Sequence, residues 1–208
     1  MARTASLMDL MRAIVADDAE AVPQLLASAP DLASASLDEG ATRQGATDYW
    51  FGAIGHYVYK GDTALHVAAA AYRHEIARKL IKAGANVHAK NRRGAEPLHY
   101  AADGGPGSPS WNPQAQATTV AVLIAAGADP DALDNSGVTP LHRAVRTRCT
   151  AAVHALLEGG ANAQYRNKSG STPMRLATMT TGRGGSGSEE AKAEQREIVR
   201  LLEQHGAR

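Results

Sequence analysis

Eight histidines and a single cysteine are the side chains of this 208-residue chain best suited to chemistry. Histidine titrates near neutral pH and serves as a general acid, a general base or a metal ligand. Cysteine beside histidine makes an activated nucleophile. The spacings argue against all of these uses. Cys149 and His154 are five residues apart, and on one helix that separation turns them away from each other. No HExxH, GxSxG or phosphate-loop pattern is present, and no set of metal-ligating residues has a ligand spacing. His56, His74, His88, His154 and His205 are scattered, whereas His66, His99 and His142 each close a segment of one kind. The expectation is therefore no catalytic residue, no cofactor and no metal site.

Those segments are Thr63-Ala64-Leu65-His66, Glu96-Pro97-Leu98-His99 and Thr139-Pro140-Leu141-His142, with Thr172-Pro173-Met174-Arg175 as a fourth copy. They begin at 63, 96, 139 and 172, so the intervals are 33, 43 and 33. A Gly-Ala pair follows each copy, at Gly84, Gly127, Gly160 and Gly206. A period of this length signals stacked units, each burying its apolar face against its neighbours. A glycine stands two positions before each copy, where a tight turn needs positive φ. Thr or Glu then caps a first helix, and proline at the first helical position loses no hydrogen bond. A second helix carries Ala77, Leu80 and Ile81, then Val120, Leu123 and Ile124, then Val153, Leu156 and Leu157 at i, i+3, i+4 spacing. Fainter stripes extend both ends. Leu7, Leu10, Met11 and Ile14 precede Val22, Leu25 and Leu26, and Val199 and Leu202 recur with Glu203 in place of the second leucine.

In these motifs the chain resembles the ankyrin repeat family, whose turn reads D-x-x-G-x-T-P-L-H and whose outer helix reads V-x-x-L-L-x-x-G-A. Asp134, Gly137, Thr139, Pro140, Leu141, His142 and Gly160 give the fullest copy. The resemblance covers about residues 5–208. It implies an all-α fold, an ankyrin-repeat solenoid of about five helix-turn-helix repeats with three loop insertions, in a single domain. The expected divisions are a degenerate N-terminal capping repeat (1–36), an aromatic insertion (37–60), a second repeat (61–93) and a third (94–130) with an inserted loop at 104–116. A fourth repeat (131–163) and a C-terminal capping repeat (164–208) with an inserted loop at 181–195 complete the chain. The resemblance further implies that the three periodic histidines are structural. It implies a non-catalytic protein-protein interaction module, an adaptor, inhibitor or regulator. Family partners use the turn tips and the exposed positions of the inner helices. By register these are Arg92, Arg93, Asn135 and Lys168 on the tips, and Tyr100, Arg143 and Arg146 on the inner helices.

The insertions are departures from that pattern, and insertions in repeat proteins often mark a binding face. The first contains Tyr49, Trp50 and Phe51, then Tyr57 and Tyr59. Aromatic side chains anchor interfaces because they bury much area with few rotamers to freeze. The same segment also suits packing, since Ile54, His56, Val58 and Lys60 alternate with Tyr57 and Tyr59 as in a short β-hairpin folded back on the stack. Trp111, in the Gly- and Pro-rich second insertion, either pins that loop or meets a partner. All these aromatics except His56 join the partner-binding candidates.

Composition adds little direction. Lys and Arg number 22 and Asp and Glu 21, which exerts no overall pull toward nucleic acid or membrane. The stretch 61–175 is net basic and favours a protein partner with an acidic patch. A dense Lys/Arg face for nucleic acid is missing. No run of 18 apolar residues offers a membrane span, and the lone cysteine fits a reducing cytoplasm. Two alternative readings stand beside the first: a structural or chaperone-like subunit of a stable complex, and a cryptic enzyme or nucleic-acid binder.

Overall fold

The computed structural model describes residues 5–105, 111–179 and 189–207. Over them five helix pairs follow one another. They are α1 (Leu7–Val15) with α2 (Ala21–Ser28), α3 (Ala64–Ala70) with α4 (His74–Lys82), and α5 (Pro97–Ala101) with α6 (Pro113–Ala125). After them come α7 (Pro140–Thr147) with α8 (Thr150–Glu158), and α9 (Pro173–Thr178) with α10 (Glu189–Gln204). The inner helices pack in series, α1 on α3, α3 on α5, α5 on α7 and α7 on α9. Outside them α4 packs on α6, α6 on α8 and α8 on α10. The chain is the all-α repeat solenoid that its periodicity predicts. Leu65, Leu98 and Leu141 are fully buried at equivalent positions, beside Ala68, Ala69, Ala101 and Ala144. Alanines at these contacts let short helices approach closely.

Each turn is set by one side chain. Asn91 Oδ1 accepts from the N–H groups of Arg93 and Ala95, Asp134 Oδ1 from those of Ser136 and Val138, and Asn167 Oδ1 from those of Ser169 and Ser171. Asn and Asp are suited to this because their short polar side chains bond their own backbone a few residues on. Gly94 and Gly137 follow at φ 72° and 68°. A Cβ at Gly94 would lie 2.9 Å from the Asn135 nitrogen, so glycine also admits the next tip. The tips are stitched together by backbone bonds: Arg92 N–H to the Lys60 carbonyl, Asn135 N–H to that of Arg93, and Lys168 N–H to that of Ser136.

Helix capping then links one repeat to the next. Thr63 and Thr139 accept on Oγ1 from the N–H of His66 and His142, while their own N–H groups donate to the Nδ1 of the same histidines. Glu96 N–H likewise donates to His99 Nδ1. A ring whose Nδ1 accepts carries its proton on Nε2. That Nε2–H donates at 3.0 Å to a carbonyl of the following turn: Ala95 for His66, Val138 for His99 and Ser171 for His142. In the first repeat, Ser6 and Asp9 form the reciprocal cap instead.

In the last outer helix Leu202 is fully buried, Val199 packs partly buried against the core and Glu203 is exposed, as expected, with Ile198 and Leu201 buried beside them. Two expectations need correction. The second insertion is shorter than 104–116, because Asn112 caps α6 through Ala115 N–H and residues 113–116 are helical. Its residues 106–110 lie outside the described residues. The third insertion, 181–195, also gives up its end to α10, which begins at Glu189. Residues 180–188 lie outside the described residues.

The first insertion is a long, irregular hairpin. Its base is the bridge between Ser36 and Thr63, followed by bonds from Leu37 N–H to the Asp62 carbonyl and from Gly61 N–H to that of Leu37. Ala41 N–H reaches the Val58 carbonyl, and Val58 N–H that of Tyr49. Strands β1 (Trp50–Phe51) and β2 (His56–Tyr57) end it, with Trp50 opposite Tyr57 and Phe51 opposite His56.

Two outcomes test this fold. Leu141→Ala should cost about 2–5 kcal/mol of unfolding free energy, as for other fully buried leucines, and an unchanged denaturation midpoint would contradict the register. Burial lowers the pKa of His66, His99 and His142, that of His99 to about 4. Unfolded histidine titrates near 6.5, so below that pH the unfolded chain binds more protons. Stability should therefore be full above about pH 7 and fall from about pH 6.5 toward pH 4. Thermal melts at intervals across that range check it, and a flat profile would refute the neutral tautomer.

Candidate functional site

The hairpin arm does not stand free. It lies against the inner-helix face of the second and third repeats, anchored on Asp62. That carboxylate is fully buried and accepts from the Tyr100 hydroxyl at 2.8 Å, Asn91 Nδ2 at 2.9 Å and Tyr59 N–H at 2.7 Å. Asn91 Nδ2 also donates to the Tyr100 oxygen at 2.9 Å. The carboxylate holds the Tyr100 proton in place, and burial first and Asp62 second raise the phenol's pKa. The Tyr100 ring in turn receives two imidazoles edge-on: His66 at 5.1 Å and, from the arm, His56 at 4.5 Å. Farther along the arm, the Arg92 and Arg93 guanidiniums lie over the Tyr59 ring at 5.0 and 4.1 Å, and Arg92 Nη2 donates to the Ala41 carbonyl. Val58 is buried, and Tyr49, Phe51, Ile54 and Tyr59 pack against the core.

This arrangement redistributes the partner-binding candidates. Tyr100 is only 2% exposed, which corrects the expectation of an accessible tyrosine on the inner face. Arg143 is corrected likewise. Its side chain is 11% exposed and bridges Asp103 at 3.0 Å and Asp134 at 3.1 Å, joining the third repeat to the fourth. Burial alone would raise the Asp134 pKa, but the N–H groups of Val138 and Ser136 and the Arg143 guanidinium outweigh it and hold it low. Trp111 is half-buried and donates from Nε1 to Gln116 Oε1 at 3.0 Å. Arg92 and Arg93 stay exposed but are engaged by the arm. Lys168 Nζ donates to the Asn135 carbonyl, and Asn135 Nδ2 to that of Arg92, so both tip residues are exposed links of the stack. Arg146 is 58% exposed and 3.5 Å from Asp103. Of the inner-helix arginines, Arg143 is thus paired with Asp103 and Asp134, and Arg146 with Asp103.

What remains on the outside of the arm is a pair of aromatics. Trp50 is 43% exposed and Tyr57 38%, and their rings lie 4.5 Å apart across the strand pair. Leu133 and Met179 are the other large apolar side chains exposed among the described residues.

Two structural residues escaped the reading of the sequence. Asp62 occupies the slot held by Ala95, Val138 and Ser171 in the other repeats, and a carboxylate there was the available signal. Gln116 is fully buried, donates to the Ala101 and Asp103 carbonyls, and accepts from Trp111 and from the Cys149 thiol at 3.0 Å. Asp103, just after α5 on the inner face, pairs with Arg143 and Arg146. The nucleophile pair is not formed: Cys149 is buried, burial pushes its thiol pKa up, and His154 is exposed. No group of three or more His, Cys, Asp or Glu able to hold a metal occurs among the described residues. No described helix is long and apolar enough to cross a membrane.

Comparison with known proteins points one way. A family model described as ankyrin repeats (3 copies) matches residues 10–108, and one described as ankyrin repeats (many copies) matches residues 123–177. The chain is 38% identical over 117 residues to ankyrin repeat and SOCS box protein 16 of Mus musculus, across 55% of this chain and 25% of that protein. It is 34% identical over 124 residues to the E3 ubiquitin-protein ligase KEG of Arabidopsis thaliana, across 58% and 7%. With human neurogenic locus notch homolog protein 1 it shares 28% over 173 residues, across 72% and 6%. The chain thus spans a quarter or less of the length of these relatives.

The Asp62 anchor gives a direct prediction. Tyr100→Phe removes one donor to a buried carboxylate and should cost about 1–3 kcal/mol. Amide exchange at Val58 and Tyr57 should quicken with it. Denaturant melts and hydrogen exchange would show both, and an unaltered arm would mean that Asp62 does not anchor it.

Proposed function

This chain belongs to the ankyrin repeat family, and from that premise we propose that it is a non-catalytic protein-binding module whose contact surface is the outer face of the 37–60 arm, continued by the hairpin tips. Ankyrin repeats are general protein-protein interaction modules. The observation that carries the specific reading is the Trp50–Tyr57 pair, in tilted ring contact and exposed on an arm whose other aromatics pack against the core. Large aromatics presented by an ordered backbone lose little entropy on binding and are typical anchors of interfaces. Arg93, over the Tyr59 ring of the arm, supplies a polar rim, and Lys168 extends it farther along the tips. An adaptor, inhibitor or regulator would each use such a surface. We read its setting as cytoplasmic, in keeping with one unpaired, buried thiol.

Affinity capture from extract of the source cells, with mass-spectrometric identification, tests this. Wild type would be compared with Trp50→Ala/Tyr57→Ala and with Lys82→Ala, exposed on the outer helix α4, as a control. One protein should be enriched by wild type and the control and lose at least about tenfold in affinity with the double variant. The double variant should melt like wild type, since both rings are solvent-exposed. A partner held equally by all three chains would place the interface elsewhere.

A further inference from the structure

A cavity of about 270 Å³ lies where the tip of the arm meets the C-terminal ends of α3 and α5. Its wall includes Ile54 and His56 from the arm, Tyr72 and Tyr100 from the inner-helix layer, and Asp103 with Gly104 after α5. We propose that this cavity is a binding site for one lysine side chain of a protein partner. Only the protein source of that group rests on the function proposed above.

Size comes first. The volume falls just below that of most small-molecule pockets and suits a single extended side chain. The two tyrosines have already committed their hydroxyls. Tyr72 donates to the Asp103 carbonyl at 2.6 Å and Tyr100 to Asp62 at 2.8 Å. The surface they offer is therefore ring carbon, which packs against methylenes and attracts a cation. Ile54 adds apolar wall.

Charge sets the sign of the ligand. Asp103 and Asp134 pair with Arg143, and Asp103 also with Arg146, while Asp62 adds a carboxylate that neither arginine reaches in these pairs. Among the described residues its one ionisable basic partner is His66 at 3.8 Å, and burial keeps that imidazole neutral. Burial also keeps His56 neutral, against the pull of Asp103 and Asp62. Asp103 is the charge within reach, with its side chain 25% exposed. Each of its oxygens has one arginine partner and keeps a further acceptor position. Separate single positions suit a compact ammonium better than the planar fork of a guanidinium. Finally, His56 Nε2 is buried without a hydrogen-bond partner. Such an atom in a wall is the kind that a bound donor satisfies.

The full chain would be titrated with n-butylammonium chloride, sodium n-butyrate and n-butanol at constant ionic strength, following backbone amide shifts by NMR. The Gly55 and Gly104 amides should move saturably with butylammonium and not with butyrate, and butanol should bind about tenfold more weakly or worse. Asp103→Asn should weaken butylammonium binding by about tenfold or more. Because that change also touches Arg143, a second variant, Ile54→Trp, would fill the cavity from the partly exposed arm and should abolish the shifts. No saturation in wild type, equal shifts with butyrate or butanol, or wild-type binding by Ile54→Trp would overturn the proposal. The arm's outer rings do not line the cavity, so a failed titration leaves the capture result intact, and failed capture leaves the titration intact.

Discussion

Everything in this stack depends on a hydrogen bond that runs through an imidazole. The first backbone amides of a helix need partners. Thr63 and Thr139 share that task with His66 and His142, and the exchange fixes the proton on the far ring nitrogen. The nitrogen so protonated must donate, and the acceptor in reach is a carbonyl of the next turn. Local capping and inter-repeat adhesion are thereby one interaction, available only to neutral histidine. In the first repeat Asp9 takes the place of histidine. A carboxylate returns the cap but has no proton to pass onward. That junction is held instead by the pairing of residues 36 and 37 with 62 and 63, and it is where the chain makes its long excursion.

The excursion brings a problem that the rest of the inner face solves. Asp62 buries a carboxylate, and an uncompensated buried charge is costly. Tyr100, Asn91 and the Tyr59 N–H compensate it, which removes Tyr100 from the surface. Asp103 and Asp134 make a similar demand on Arg143. Of the arginines on the inner helices, Arg143 is in this way committed inside the structure. A surface charge pattern derived by counting along the sequence takes no account of such pairing.

The same distinction separates what was legible in the sequence from what was not. Periodic features were legible: the turn segments at 63, 96, 139 and 172, the outer-helix stripes and the helix-ending glycines all follow from backbone geometry repeated in register. The hairpin was legible too, from the alternation at Ile54 to Lys60. Where long-range contacts decide, register alone gave the wrong answer for Tyr100 and Arg143. It places a side chain on a face without showing what lies over that face. Gln116 illustrates the limit. It is a polar residue in an apolar helix, and only the convergence of Trp111, Cys149 and two carbonyls explains its burial.

Alternation along the arm supplies the last step. Successive strand residues face opposite sides, so a short hairpin can be packed on one face and free on the other. Tyr49 and Phe51 on one limb and His56 and Val58 on the other are spent on packing inward, while Trp50 and Tyr57, one position displaced, lie outward in tilted ring contact. The inward rings, the Asp62 anchor and the two arginines over Tyr59 order the arm before any partner arrives. Ordering in advance removes an entropic cost that a loose loop would meet on binding. The inner face surrendered to the arm is thus replaced by a smaller, more aromatic surface that is already in position.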